Sequence, residues 1–447
     1  MPLPLGSDSA ALYARLDHLA AERAPRIWVG LSGGVDSSVL AVLAARRWPQ
    51  KTHLVHVNHH LQSPADEWAQ HCRQLAEHLA VPIVVKDVAV SAKGGPEGAA
   101  RDARYEAFCA CLAEGDLLLL AHHADDQIET LFYRLLRGTG VDGLSGMPEW
   151  RALGVGQLWR PWLAEPRARV IAAAQELKLT WIEDPSNDQI DADRNFLRQR
   201  VLPLLEQRWP HYRTTVERAR QNLAQTAQRE HQYWRRALTE CLDDGALNIA
   251  SLASWSEADQ LSLLRAWLLD LKPSQQQLLT VWREVVGAAA DAQPQVQLGA
   301  TSVRRYQQKL YRVTDAALMP EAPLPLSLGS VLRHPGVGEV ALIPPEPNVL
   351  GLPLSAEIAS RGDLSIRFRL GGERFKPAGR SGSRDLKRLM QEWRVPPWRR
   401  DQLPLFYVGE RLAAVGCTEA RSGWYADEFL SAPIEPAGIL CYRIVPS

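Results

Sequence analysis

An N-terminal doubly wound parallel α/β sheet, followed by a helical domain and a small α+β C-terminal domain, is expected from three features of the chain. Short apolar runs alternate with segments of helical period through the first half. The first of them, residues 26–30, passes into the turn Ser32-Gly33-Gly34-Val35-Asp36-Ser37-Ser38 and then into a helix-forming stretch, 39–45. Beyond about Pro203 the pattern changes to long charged helices, and from Arg361 to a basic, aromatic-bearing segment.

Strands are expected at 26–30, 53–58, 82–90, 116–121 and 157–163, with helices between them. Such a βαβ series places ligands beyond the C-terminal strand ends. A helix over 212–242, rich in Arg, Gln, Glu and Ala, opens the second domain. The Pro-rich, low-charge stretch 319–353 reads as a linker with short strands. The expected domains are therefore 1–210, 211–318 and 350–447.

At 447 residues, two to four domains are expected at about 150 residues each. Lys+Arg and Asp+Glu balance at 51 each, so any nucleic-acid surface must come from segregated charge. The six Cys, at 72, 109, 111, 241, 417 and 441, form no C-x-x-C pair, which argues against a zinc ribbon, an Fe–S site or a disulfide framework. No leader and no apolar run of about 18 residues is visible. A cytoplasmic protein without membrane or protein partners is expected.

The glycine turn between strand and helix gathers backbone N–H groups and a helix N-terminus, a geometry that holds phosphate or pyrophosphate. No Lys lies between Ser32 and Ser38, which excludes a Walker loop. The plain alternative is a Gly-rich turn with Asp36 as a helix-start residue. Residues 116–130 form a second strand-to-helix unit. There Ile128, Leu131, Phe132 and Leu135 make an apolar stripe, while Asp126, Glu129 and Tyr133 share another face. Paired acids beside a cleft can hold an ammonium, bind Mg²⁺ or take up a proton; the alternative is simple complementation of the helix dipole. The adjacent His122-His123 and His59-His60 point to opposite faces if in strands, and no Cys joins them, so a transition-metal site is disfavoured. Arg374, Lys376, Arg380, Arg384, Lys387, Arg388, Arg394, Arg399 and Arg400, interleaved with Phe375, Trp393 and Trp398, suit contact with folded RNA, against the alternative of a solvated face.

The string 32–38 resembles the PP-loop (SGGxDS) of N-type ATP pyrophosphatases, which split ATP into AMP and pyrophosphate to adenylate a carbonyl oxygen. Ala121-His-His-Ala-Asp-Asp-Gln-Ile-Glu-Thr130 with Leu135-Leu-Arg-Gly-Thr-Gly140 is similar to the tRNA(Ile)-lysidine synthetase family, in its long three-domain form. Trp181-Ile-Glu-Asp-Pro-Ser-Asn187, Asp193-Arg-Asn-Phe-Leu-Arg198 and Leu202-Pro-Leu-Leu205 agree, as do Arg374-Phe375, Lys387-Arg-Leu389, Val395-Pro-Pro-Trp398 and Leu403-Pro-Leu405. Residues 215–350 match only in helical character and in Leu298-Gly-Ala-Thr.

The resemblance implies ATP-dependent ligation of L-lysine to C2 of the wobble cytidine of tRNA(Ile) with a CAU anticodon, through an adenylated cytidine, with Mg²⁺ as cofactor. It implies that Ser32, Gly33, Gly34, Val35, Ser37 and Ser38 cradle the phosphates, that Asn58 lies beside the adenine or ribose, and that Asp36 holds Mg²⁺. Asp126 and Glu129 would meet the lysine ammonium, and Arg101 or Arg104 its carboxylate. His123, Asp126 and Glu129 are all candidates for the base that takes the amine's proton. Arg194, Asn195, Arg198, Lys387, Arg388, Arg399 and Arg400 would contact tRNA. The rivals are another PP-loop enzyme and a non-catalytic RNA-binding protein. A tRNA thiolase would need Cys ligands, and a GMP or NAD synthetase leaves the basic C-terminal region unexplained. The intact Asp36, Asp126 and Glu129 count against a non-catalytic protein.

Overall fold

Ile27 and Val29 pack on one side of the first strand and Trp28 on the other, and all three are buried, as a central strand covered on both faces requires. In this computed structural model the strand is β1 (Ile27–Gly30), flanked in parallel by β2 (Thr52–Asn58) and β4 (Leu117–Leu119). The sheet is completed by β3 (Ile83–Asp87), β5 (Trp150–Leu153) and β6 (Gly156–Trp159), in the order β3-β2-β1-β4-β6-β5. All pairs are parallel except β5–β6. Strand order reverses between β1 and β4, which opens a crevice above their C-terminal ends. The structure describes residues 4–60, 64–89, 96–185, 190, 193–243, 245–289, 292–314, 319–334, 338–344, 352–354, 362–416, 426 and 438–443. Residues 90, 186–187, 315–318, 335–337, 345–351, 355–361 and Cys417, on which some expectations fall, lie outside the described residues.

Helices cover both faces. In chain order they are α1 (Ser7–Ala14), α2 (Leu19–Arg23), α3 (Val35–Arg47), α4 (Ala65–Leu79), α5 (Pro96–Cys109), α6 (Ala124–Leu136), α7 (Val141–Leu144) and α8 (Arg167–Glu176). One core joins Val39, Leu40 and Leu43 of α3 with Ile27, Leu54, Leu119, Trp159 and Trp162. The other joins Phe108 of α5 with Trp28, Val55, Leu118, Leu120 and Leu158. The expected doubly wound sheet is thus present. The edge strand β5 was not expected, because only Leu153 of its residues is buried and no run of apolar residues marks it. The stripe on α6 holds at Ile128 and Leu131, but Leu135 is 50% exposed.

After the sheet come α9 (Asp193–Phe196), a π-helical turn (Leu197–Val201), α10 (Leu202–Arg208) and the long α11 (Tyr212–Cys241). The chain divides into compact units Met1–Gln232 and Tyr233–Ser447. In the second unit the expected helical region, 211–318, carries strands as well. An antiparallel sheet, β7 (Leu242–Asp243), β8 (Ala246–Asn248), β9 (Gln295–Leu298), β10 (Thr301–Tyr306) and β11 (Lys309–Thr314), packs on α12 (Ile249–Ala253), α13 (Glu257–Trp267) and α14 (Gln275–Thr280). Val303 and Leu310 are fully buried in its central hairpin, whose turn places Gln307 at φ +54°. The last part is a small α+β assembly. It carries two four-stranded sheets, α15 (Leu386–Glu392) and α16 (Pro397–Arg400), around Ile366, Leu389, Met390 and Phe406. Among the described residues no helix is long and apolar enough to cross a membrane.

Candidate active site

The turn between β1 and α3 is built by its own hydroxyls. Ser37 Oγ accepts from the Ser32 backbone N–H at 3.1 Å and donates to the Gly34 carbonyl at 3.1 Å, while Ser32 Oγ accepts from the Gly34 N–H at 3.3 Å. Ser32 Oγ lies 3.0 Å from Ser37 Oγ. Gly33 sits at φ +88°, where L side chains are strained, and its carbonyl accepts from the backbone N–H of Ile182 at 2.9 Å. Helix α3 starts at Gly34 with no side-chain cap, so its first N–H groups are open to an anion. Ser32, Gly34, Val35, Asp36 and Ser37 line one cavity of about 820 Å³. Gly33 and Ser38 lie behind it, the Ser38 hydroxyl donating to the Gly33 carbonyl at 3.4 Å. These two shape the turn rather than face the cavity.

The second strand-to-helix unit meets this turn across the β1/β4 crevice. His123 caps α6 reciprocally with Asp126. The Asp126 N–H points to His123 Nδ1 at 3.4 Å, and the His123 N–H donates to Asp126 Oδ2 at 2.9 Å. This leaves His123 Nε2 3.8 Å from Asp36 Oδ1. Asp36 Oδ1 is buried without a hydrogen-bond partner, and burial raises the Asp36 pKa; His123 opposes the shift and Asp126 adds to it. Asp125 differs. Burial works against its charge, but the Arg167 N–H, His123 and Arg213 hold its pKa below the ordinary value. An orphaned carboxylate oxygen is a hard ligand, and Mg²⁺ takes one or two carboxylates together with substrate phosphates, so Asp36 fits that ion.

Glu129 does not stand where the sequence places it. It is buried, and both of its oxygens are taken by Arg198, at 2.6 Å from Nε and 2.7 Å from Nη2. Asp126 alone of the two lines the cavity, as does Arg198, which was expected at the tRNA surface. Asn58 lines the wall too, and its amide makes two local bonds: Nδ2 donates to Asp66 at 3.0 Å and Oδ1 accepts from the His60 N–H at 3.0 Å. These bonds hold the β2 loop and leave the amide a second N–H.

A smaller cavity of about 210 Å³ collects Arg101, Arg104, Tyr105, His122 and Arg194, and shares Arg104 and His122 with the large one. Arg194 lies over the Tyr133 ring at 5.4 Å and so faces inward as well; Asn195 follows it on α9. Desolvation pushes His122 down to about 4, with Asp126 opposing and Arg160 reinforcing. It is therefore neutral near pH 7, and its Nδ1 accepts from Arg160 Nε at 3.3 Å. Sequence reasoning assigned no role to Arg160, to Arg167 or to Glu183, although Arg167 and Glu183 line the large cavity. The block 181–187 was the available signal for Glu183.

In the second unit Lys387 and Arg388 are exposed on the first turn of α15, where Asp385 accepts their backbone N–H groups at 2.8 and 3.3 Å. Two cations there oppose the helix dipole, so local stability does not ask for them. Arg400 differs: its Nε donates to the Val395 carbonyl at 3.0 Å, fixing the loop between the helices. Arg380 and Arg384 both pair with Glu392. Trp398 packs against Tyr306 and Tyr311, ring centroids 6.1 and 5.5 Å away, with the Arg304 guanidinium over its face at 5.6 Å.

A PP-loop domain model matches residues 8–205, a TilS substrate binding domain model 247–311 and a TilS substrate C-terminal domain model 364–428. The tRNA(Ile)-lysidine synthase of Serratia proteamaculans is 41% identical over 407 residues, covering 88% of this chain and 92% of its own. The chain belongs to the tRNA(Ile)-lysidine synthase family. The Salmonella typhimurium member is 38% identical over 415 residues, covering 90% of this chain and 95% of its own. A solved U34-tRNA thiolase from Methanococcus maripaludis with its [4Fe-4S] cluster aligns at 15% identity over 49% of this chain and 78% of its own, with a TM-score of 0.41. For a lysidine synthase the PP-loop domain brings ATP use with it.

Proposed function

We propose that this protein ligates L-lysine to C2 of the wobble cytidine of a tRNA(Ile) with a CAU anticodon, in the cytoplasm, with ATP split into AMP and pyrophosphate. The observation that carries the reading is the single cavity in which the Ser32–Ser37 turn, Asp36, Asp126 and Arg198 meet, beside an arginine-lined annex. The uncapped start of α3, at Val35, Asp36 and Ser37, would hold the phosphates. Cytidine O2 attacks the α-phosphorus and pyrophosphate leaves. The lysine ε-amine then attacks C2, the C2–O bond breaks, and AMP departs with that oxygen. Asp36 would hold Mg²⁺, which offsets charge on the phosphates when bound.

The ε-amine has a pKa near 10.4 in water, so it must shed a proton before attack. Of the three candidate bases, His123 Nδ1 faces the Asp126 N–H and Glu129 has both oxygens on Arg198. Asp126 keeps one oxygen free of hydrogen bonds, 3.8 Å from Arg198, and is the group we assign to the ammonium and its proton. The annex offers Arg101 and Arg104 to the lysine carboxylate.

The test is incubation with ATP, labelled lysine and tRNA, following label in RNA and pyrophosphate release. Asp126→Asn is expected to raise the lysine KM by about 10-fold or more, the size of one charge-assisted contact, with tRNA-dependent pyrophosphate release largely kept. Loss of pyrophosphate release at an unchanged lysine KM would assign Asp126 to ATP instead. No label in RNA from the wild-type protein would sink the reading as a whole.

A further inference from the structure

Arg198 reaches the cavity from the π-helical turn that follows α9, and its geometry is unusual for a residue meant to hold tRNA. Its Nε and Nη2 clamp the two oxygens of a carboxylate that is itself almost fully buried. The remaining nitrogen, Nη1, makes no hydrogen bond, and the side chain keeps 38% of its surface open. A planar guanidinium gripped along one edge is fixed in direction, so its free end is aimed rather than mobile. Acids lie beside the clamped edge as well: Asp126 Oδ1 is 3.8 Å from Nη2, and Asp36 interacts with the same charge. The uncapped start of α3 lines the same cavity. π-Helical turns often mark sites where a helix has been adjusted to aim a functional side chain.

We infer that Arg198 is a catalytic residue whose Nη1 end meets the phosphate chain of ATP during adenylation, and that Glu129 is the positioning residue that aims it. This rests on the reading that ATP occupies the cavity. Charge on the phosphoryl oxygens grows and shifts as the bond to pyrophosphate breaks, and a preorganised cation inside the cavity stabilises that change. Glu129 then takes no part in lysine binding. It serves as the buried anchor, because a bidentate carboxylate fixes both the plane and the direction of the guanidinium.

The experiment compares Arg198→Met, Arg198→Lys, Glu129→Gln and the double variant Glu129→Gln/Arg198→Met, with wild type alongside. Four quantities are read: ATP Kd by calorimetry without tRNA, tRNA Kd without ATP, single-turnover pyrophosphate release, and the lysine KM. Arg198→Met is expected to slow pyrophosphate release by about 10²- to 10³-fold, the loss typical of one preorganised donor, with tRNA Kd and lysine KM within about 3-fold of wild type. Arg198→Lys should recover little of this, since an ammonium cannot be gripped along an edge. Glu129→Gln should slow the same step in the same direction, and the double variant should be no slower than Arg198→Met, as expected for residues acting as one unit. A raised lysine KM in Glu129→Gln with normal pyrophosphate release would overturn the inference and return Glu129 to the ammonium. A weakened tRNA Kd in Arg198→Met with ATP binding and pyrophosphate release intact would make Arg198 a tRNA contact. If Glu129→Gln fails to fold, the two Arg198 variants decide alone. Absence of pyrophosphate release from wild type with ATP and tRNA would count against the proposed function instead.

Discussion

Asp36 carries a cost in the folded protein. Burial lifts its pKa above the ordinary 3.8, and His123, Arg167 and Arg198 only partly oppose the shift. A carboxyl that holds its proton more tightly when folded lowers stability as pH rises from the ordinary value through the raised one, and the loss persists above it. Asp36→Asn removes that loss. The variant is expected to melt at a higher temperature than wild type at pH 7, with the gap closing toward pH 4, and to lose ATP cleavage by at least about 10²-fold. Calorimetric melting across pH, alongside pyrophosphate release, checks both halves. Equal Tm at pH 7 would mean that the carboxylate is under no desolvation strain. Sequence reading located Asp36 because strand, turn and helix are contiguous there. Its limit shows at Glu129, whose partner Arg198 is 69 residues away; helical period can say which face a carboxylate occupies, but not which distant cation reaches it first.

Among the elements, the turn before α3 depends on one backbone angle. A Cβ on Gly33 would stand 2.4 Å from Ile182 Cδ1 and 3.3 Å from Cys72 Sγ, at φ +88°. Two costs are therefore separable: left-handed backbone strain on the order of 1–3 kcal/mol, and a clash with the end of a flexible side chain. Gly33→Ala is expected to lower the unfolding free energy by about that strain plus the clash. Adding Ile182→Val should recover the clash but not the strain, and urea denaturation of both variants reads the difference. A Gly33→Ala loss under about 0.5 kcal/mol would mean that the turn relaxes at no cost. The same scale shows why the sheet was legible and the second unit less so. The central strands are continuous apolar runs between helices, which parallel order requires. The β10–β11 hairpin breaks apolar–polar alternation at Arg304-Arg305 and Leu310-Tyr311, and without a Gly or Asn in its Gln307-Gln308 turn it lacks the usual hairpin mark.

For the whole molecule, zero net charge means that tRNA affinity must come from local excess of cations. The basic run at 374–400 was legible as composition, but its division of labour was not. Arg380 and Arg384 are paired to Glu392 and Arg400 supports a loop, whereas Lys387, Arg388 and Arg399 make no ion pair among the described residues. These three are expected to contact tRNA phosphates. Replacing them with Ala should weaken tRNA binding and flatten its salt dependence by somewhat under one log–log unit per lost contact, about 0.7–0.9 each. Arg400→Ala should act differently, lowering stability by about 1 kcal/mol for one lost hydrogen bond and changing the salt slope by less than the other three do on average. Turnover at saturating tRNA is expected to stay near wild type in the triple variant, since these residues are remote in sequence from the Ser32–Ser37 turn. Measuring tRNA Kd over a salt series beside single-turnover rates separates the outcomes. Unchanged affinity and slope would make this a solvated face, whereas a fall in turnover at unchanged affinity would make the C-terminal part a device for seating the tRNA rather than for holding it.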